Sequence, residues 1–252
     1  MRVKQLYQSF KWLHTDQLIA KYDLQCKKNI YEPVLFFGCY GRVHVEKALS
    51  WKAPVIIWWS GSDILIIKDK PDLVNRLRNN TNIQHIAPSN FIEDDLIELN
   101  LPYKRIPLFT RDINSFTPYK LGDSIFVYHP GSKIYCPKPI YKRIKEEFSS
   151  TNFIEAQNHH SFSQRQLLDV YKKSFLSLRF TKHDGLSHTA CESGLRGRKL
   201  IWNGDTPNAI NYTTDDSILT EIENVIKNKY DPFQVSEEMH NYLDVGEDWL
   251  NL

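Results

Sequence analysis

Short, strongly apolar runs separated by amphipathic, charged segments restrict the folding of this chain more than any other feature. In the first half the runs are "VLFFG" at 34–38, "VIIWWSG" at 55–61, "IQHIAPS" at 83–89 and "YKRIPLF" at 103–109. Each is bounded by polar or turn-forming residues and reads as a buried strand. Between them, "HVEKALSWK", "PDLVNRLRN" and "FIEDDLIELN" have helical character, the last with apolar residues at helical spacing and acids near its start. Strands that alternate with helices predict a parallel sheet, because a parallel crossover needs a connection long enough to hold a helix. One N-terminal helix is expected ahead of the first strand.

The alternation restarts after "RDINSFTPYKLGD", a polar stretch carrying Pro118 and Gly122. Strands are expected in "SIFVYHPG" (124–131), "TNFIEAQ" (151–157), "SFLSLRFT" (174–181) and "KLIWNG" (199–204), with helices at "KPIYKRIKEEF", "SQRQLLDVYKK" and "SHTACESGLR". A boundary near residue 118 divides the 252 residues into an α/β unit over 1–118 and a second over 119–235. Each is at the modest end of domain size. The last segment reads as two helices separated by Asp231-Pro232, and 236–252 is expected to form a C-terminal helix crossing back onto the first unit. The fold class is therefore α/β, two Rossmann-like domains whose parallel sheets face each other across a cleft.

Composition excludes several function classes. With 32 Lys+Arg against 30 Asp+Glu, the chain has no basic excess of the kind built for nucleic acid. "VIIWW" and "ILII" fall far short of the ~20 apolar residues that a membrane-spanning helix needs. The N-terminal stretch is amphipathic and lacks the apolar region of a secretory signal. Cys26, Cys39, Cys136 and Cys191 are scattered without a C-x-x-C pair, which predicts neither a zinc site nor a disulfide framework. A cytoplasmic protein is the expectation. Trp58 and Trp59, in or beside a strand, read most simply as core and interface aromatics.

One polar, glycine-punctuated segment stands between two apolar strands: "RFTKHDGLSHTACESGLRGRKLIW", residues 179–202. In open α/β sheets the carboxyl edge of the strands is where ligands bind. Ser187 can cap a short following helix, and Gly197 suits the left-handed position that ends it. The first turn of such a helix presents unpaired N–H groups and the positive end of the dipole, an arrangement suited to phosphate. Gly185 permits close approach of backbone to ligand. Asp184 precedes the helix start and Glu192 lies in its second turn. Acids do not favour phosphate directly, so they suit hydroxyl groups flanking a diphosphate: a ribose on one side and a sugar on the other. Gly194, inside the helix, is expected to serve close packing on the sheet.

The D-x7-E spacing in "HDGLSHTACESGLRGRKLIW" resembles the E-x7-E element of retaining glycosyltransferases of the GT-B fold, of the glycosyltransferase family 4 (group 1) type. "NFIEAQNHHSFSQRQLLDVYKKSFLSLRFT" upstream is similar to the run that precedes that element, and "VIIWWSGSD" and "IAPSNFIEDDLIEL" are similar to segments of the family's N-terminal half. The likeness is densest over 124–204 and weaker over 34–109. The first acid is Asp where the family has Glu, one methylene shorter.

The resemblance implies transfer of a sugar from a nucleoside-diphosphate sugar to a glycan or lipid-linked acceptor. It implies that Glu192 binds the donor ribose, that Asp184 contacts the donor sugar near its reacting carbon, and that Gly185, Leu186 and Ser187 donate amides to the diphosphate. Lys133, or Lys138 in competition, falls where the family places a cation for the diphosphate; Arg179 and Lys182 are further cations beside the loop. Asn158, His159 and His160 fall where the base is usually read, and His183 is expected to touch the donor sugar. His44, Asp63 and Arg42 lie at or near strand ends where they could orient the acceptor hydroxyl or remove its proton. No D-x-D sequence for a divalent ion is present, and the expectation is no metal, no cofactor beyond the donor, and a retained anomeric configuration. Partners are then a nucleotide sugar and an acceptor, with no nucleic acid, no membrane span, and peripheral membrane contact left open. Two alternatives stay open: a nucleotide-sugar epimerase or hydrolase of similar architecture, and a non-catalytic module of transferase-like fold that binds glycan or protein.

Overall fold

A computed structural model describes residues 2–8, 15–26, 29–129, 138–157 and 162–251. The chain packs into two units: Met1–Asp112 with His183–Leu186 and Leu243–Leu252, and Ile113–Lys182 with Ser187–Tyr242.

The first unit runs β1 (Gln5–Gln8), α1 (Thr15–Tyr22), β2 (Val34–Phe37), α2 (Arg42–Ser50), β3 (Val55–Trp58), α3 (Ser62–Lys68), α4 (Pro71–Arg78), β4 (Ile83–Ala87), α5 (Asn90–Glu98) and β5 (Tyr103–Arg105). Its five strands are parallel and ordered as they occur in the chain, β1-β2-β3-β4-β5. In the central strands, Val34, Phe36, Val55 and Ile57 pack on one face with Val45, Ile64, Ile67 and Leu73 of the helices. Leu35, Phe37, Ile56 and Trp58 pack on the other with Leu18, Tyr22, Trp249 and Leu250. Burial on both faces is why these strands are continuously apolar rather than alternating. Pro71 at the start of α4 and Ser89, whose side chain accepts the Ile92 N–H to cap α5, fix two of the helix starts.

The second unit runs β6 (Ser124–His129), α6 (Lys138–Glu147), β7 (Asn152–Gln157), α7 (Gln164–Lys173), β8 (Ser174–Leu178), α8 (His188–Leu195), β9 (Lys199–Ile201), β10 (Ala209–Ile210), α9 (Asp215–Lys227) and α10 (Pro232–Leu243). Its strands are also parallel, in the order β10-β9-β8-β6-β7. β6 therefore has β7 on one side and β8 on the other, and the direction of winding reverses there. Ile125, Val127, Leu176 and Leu178 pack with Ile140 and Ile144 of α6 and Ile218 and Ile222 of α9. Phe126 packs on the opposite face with Val170 and Tyr171 of α7. A capping box between Ser163 and Gln166 starts α7.

Two strands escaped the sequence reading. β1, "QLYQ", lies within a stretch that reads as amphipathic and becomes an edge strand by pairing with β2. β10 is only two residues long. The C-terminal segment holds the two helices expected on either side of Asp231-Pro232, α9 and α10; α10 ends at Leu243, short of the helix expected over 236–252, and the chain belongs to the second unit through residue 242. Only 243–252 joins the first unit, where Val3 N–H donates to the Leu250 carbonyl at 2.9 Å and the Trp249 ring meets Tyr22 edge-on at 5.3 Å. Pro232 sets the start of α10, since proline is well accommodated in a helix's first turn. Among the described residues no helix is long and apolar enough to cross a membrane.

Candidate functional site

The carboxyl ends of β6 and β8 mark the topological switch point of the second sheet, the place where open α/β folds leave a crevice for ligands. The loop leaving β8 is the one that carries the D-x7-E spacing. Arg179, the first residue past β8, lies over the ring of Tyr128 on β6 at 5.0 Å, so its guanidinium spans the point of reversal. Its own N–H is engaged with the Ile201 carbonyl at 3.1 Å. Lys182 is exposed.

Ser187 caps α8, its hydroxyl accepting the Ala190 N–H at 3.3 Å. Gly197, at φ +77°, ends the helix, and its missing Cβ admits the Pro232 carbonyl of α10. Glu192 is buried to 8% exposure in the second turn, and His188 opens the first. Gly194 does serve close packing, but against α10 rather than the sheet: a Cβ there would meet Met239 Cγ at 2.3 Å and Asn208 Cγ at 2.8 Å. Asn208 in turn donates to the Ala190 and Arg198 carbonyls, which ties the α8–β9 corner to the chain before β10.

His183, Asp184, Gly185 and Leu186 pack in the first unit although Lys182 and Ser187 on either side belong to the second. The Ser89 hydroxyl donates to the Asp184 carbonyl at 3.1 Å. A Cβ on Gly185 would stand 2.1 Å from the Ser60 carbonyl oxygen, so the close approach that this glycine allows is to the Ser60–Gly61 backbone. The Gly185 N–H donates to Asp184 Oδ1 at 3.0 Å, an amide that sequence reading had reserved for a diphosphate. His183 Nε2 is 2.6 Å from Asp95 Oδ2, and its buried Nδ1 has no partner among the described residues.

Asp63 has a different task from the acceptor-side one expected of it. It is fully buried at the start of α3, and its carboxylate accepts from the N–H groups of Cys39 (2.9 Å), Ser60 (3.0 Å), Gly61 (2.9 Å) and Ile64 (3.1 Å). Burial pushes its pKa up, and the four backbone donors offset part of that rise. The side chain is committed to joining the loop after β2 to the loop after β3. His44, in the first turn of α2, turns its ring edge to Tyr7 at 6.1 Å, and its buried Nδ1 is unpartnered among the described residues. Arg42 is half exposed and pairs with Glu46 and Asp72. Lys133 and the base-reading candidates Asn158, His159 and His160 lie outside the described residues; Lys138 opens α6.

Ser60, Ser89, Lys68 and Asp95, which surround the 183–186 segment in the first unit, were not marked by sequence reading. Ser89 had a readable signal as a helix cap. The pairing of Asp95 with a histidine 88 positions away had none.

No family model matches the chain, and no curated protein matches it by sequence. Solved structures do match it. A sucrose-phosphate synthase from Thermosynechococcus elongatus superposes with a TM-score of 0.56 at 9% identity, over 93% of this chain and 72% of that one. TarM matches with a TM-score of 0.56 at 9% identity over 92% of this chain, which spans 53% of TarM. OtsA, in its apo structure, matches with a TM-score of 0.57 at 10% identity, over 92% of this chain and 71% of that one. These neighbours are GT-B glycosyltransferases, and the two five-stranded parallel sheets of this chain have their fold. At such identities the likeness establishes fold alone.

Proposed function

We propose that this chain is a glycosyltransferase that moves a sugar from a nucleoside-diphosphate sugar to a hydroxyl of a glycan or lipid-linked acceptor, in the manner of the family 4 type that its D-x7-E segment resembles. What supports this is the reversal of strand order between β6 and β8, with that segment in the loop leaving β8 and a capped helix directly after it. The arrangement offers two kinds of group that such a donor requires. First-turn amides of α8, with Arg179 and Lys182, oppose the negative charge that builds on the departing diphosphate. Asp184 and Glu192, on either side of those amides along the chain, accept hydrogen bonds from the transferred sugar and the ribose respectively. In this reading the reaction uses no metal, retains the anomeric configuration and takes place in the cytoplasm.

The test is calorimetric titration with UDP, ADP, GDP, CDP and dTDP. Binding of at least one is expected, weakened tenfold or more in Glu192→Ala, which corresponds to about 1.4 kcal/mol. Asp184→Asn should keep that affinity and lose turnover. If no nucleoside diphosphate binds, the donor-site reading fails; if Glu192→Ala binds as tightly as wild type, Glu192 loses its role.

A further inference from the structure

Three consecutive residues, 183 to 185, are held by α5 and by the turn between β3 and α3 of the first unit. Asp95, in the second turn of α5, is 5% exposed. Its Oδ2 faces His183 Nε2 at 2.6 Å, and its Oδ1 accepts from Lys68 Nζ at 2.7 Å. Lys68, at the end of α3, reaches Glu98 as well, at 2.7 Å. Ser89, the cap of the same helix α5, holds the Asp184 carbonyl, and the turn between β3 and α3 receives the bare backbone of Gly185. Asp184 lies at the centre of these three attachments.

We propose that Asp95, backed by Lys68, is a positioning residue for Asp184, acting through His183. This rests on Asp184 being the acid that meets the donor sugar. Hydrogen bonds from His183 and Lys68 outweigh burial and hold the Asp95 carboxyl below its ordinary range, so it remains an acceptor only. An acceptor-only carboxylate requires the proton of His183 on Nε2, which fixes the ring and with it the start of the 183–186 segment. Lys68 carries the balancing charge, which keeps a buried carboxylate favourable where it is. Catalytic groups act only when held to within roughly 0.5 Å, and a displacement of about 1 Å costs on the order of a hundredfold in rate. The His183–Asp95 pair anchors the segment one residue before Asp184, alongside the Ser89 and Ser60 contacts.

The experiment compares wild type with Asp95→Asn, which preserves shape but removes the charge and one acceptor, and with Lys68→Met, a milder change at a partly exposed site. Two readouts are taken: hydrogen exchange of the 183–187 peptide, and release of nucleoside diphosphate from UDP-glucose, ADP-glucose and GDP-mannose. Asp95→Asn should speed exchange and lower kcat by about tenfold or more, with the donor KM within about twofold. Lys68→Met should do the same to a smaller extent. Asp95→Asn combined with His183→Gln should cost no more than either alone, because both act on one contact. Unchanged exchange in Asp95→Asn overturns the proposal, as do additive effects in the double variant or a rise in KM with kcat intact. If wild type binds no nucleoside diphosphate, the transferase reading fails by itself, and faster exchange in Asp95→Asn would still establish that Asp95 holds the segment.

Discussion

The two sheets end in carboxyl edges that look alike in sequence and are used differently. In the first unit neighbouring strands follow chain order, so the loops after β2 and β3 emerge side by side, and Asp63 ties them together through backbone amides of Cys39, Ser60, Gly61 and Ile64. In the second unit the order reverses between β6 and β8, so the connections leaving those strands run to opposite sides of the sheet. Both edges carry a glycine, an acid and a helix start. An acid beside a helix start therefore says little about chemistry until the topology shows whether the loops close on each other or part.

The comparison breaks if Asp63 proves dispensable. Asp63→Ala leaves the N–H groups of Cys39, Ser60 and Gly61 without an acceptor, whereas that of Ile64 keeps the Gly61 carbonyl, and at about 1 kcal/mol for each orphaned donor it should destabilise the first unit by about 3 kcal/mol. Urea unfolding would show a lowered midpoint at unchanged slope, and a loss below about 1 kcal/mol would mean that the loops hold without it.

Acid should sharpen the contrast. His85 is fully buried in β4, where its Nδ1 accepts from the Trp59 indole at 3.1 Å, and burial pushes its pKa down to about 4. Below the unfolded value near 6.5 the unfolded chain takes up the proton and the folded chain does not, so this stability is complete above about pH 6.5 and lost as pH falls towards 4, by up to about 3 kcal/mol. Of the six tryptophans Trp202 falls in the second unit, whereas Trp12, Trp51, Trp58, Trp59 and Trp249 fall within the spans of the first. Indole fluorescence followed in Trp202→Phe should therefore show an acid transition that His85→Phe shifts to lower pH.

The smallest effect is expected at the glycine. Gly185→Ala places a Cβ 2.1 Å from the Ser60 carbonyl oxygen, so the two backbones must part slightly, and the cost should be about 2 kcal/mol, a melting shift of several degrees. No shift would mean that the segment does not rest on Ser60 in solution.

Much of the fold was legible because its signals are local. The eight runs chosen as strands correspond to β2 through β9, and in β2 and β3, buried at every position, the run is continuously apolar because both faces are covered. The helix after β8 was legible from Ser187 and Gly197, whose side-chain oxygen and left-handed backbone act within one turn of where they stand. β1 and β10 were not, because a short edge strand takes its hydrogen bonds from a neighbour rather than from its own composition. Asp63 was misjudged for a related reason: its spacing from Ser60 and Gly61 is visible, but its bond to Cys39 spans 24 positions and exists only once β2 and β3 are paired.

By itself the sequence determined two α/β halves, a capped helix after a strand, and an acid on each side of that helix start. These follow from periodicity and capping, which need no knowledge of distant residues. Only the tertiary structure decided that the second sheet reverses beside the motif, that Asp63 binds backbone, and that Asp184 and Gly185 rest on Ser89 and Ser60. Strand order and contacts between residues nearly a hundred positions apart depend on how paired strands and packed helices bring the chain together, and no local pattern encodes that.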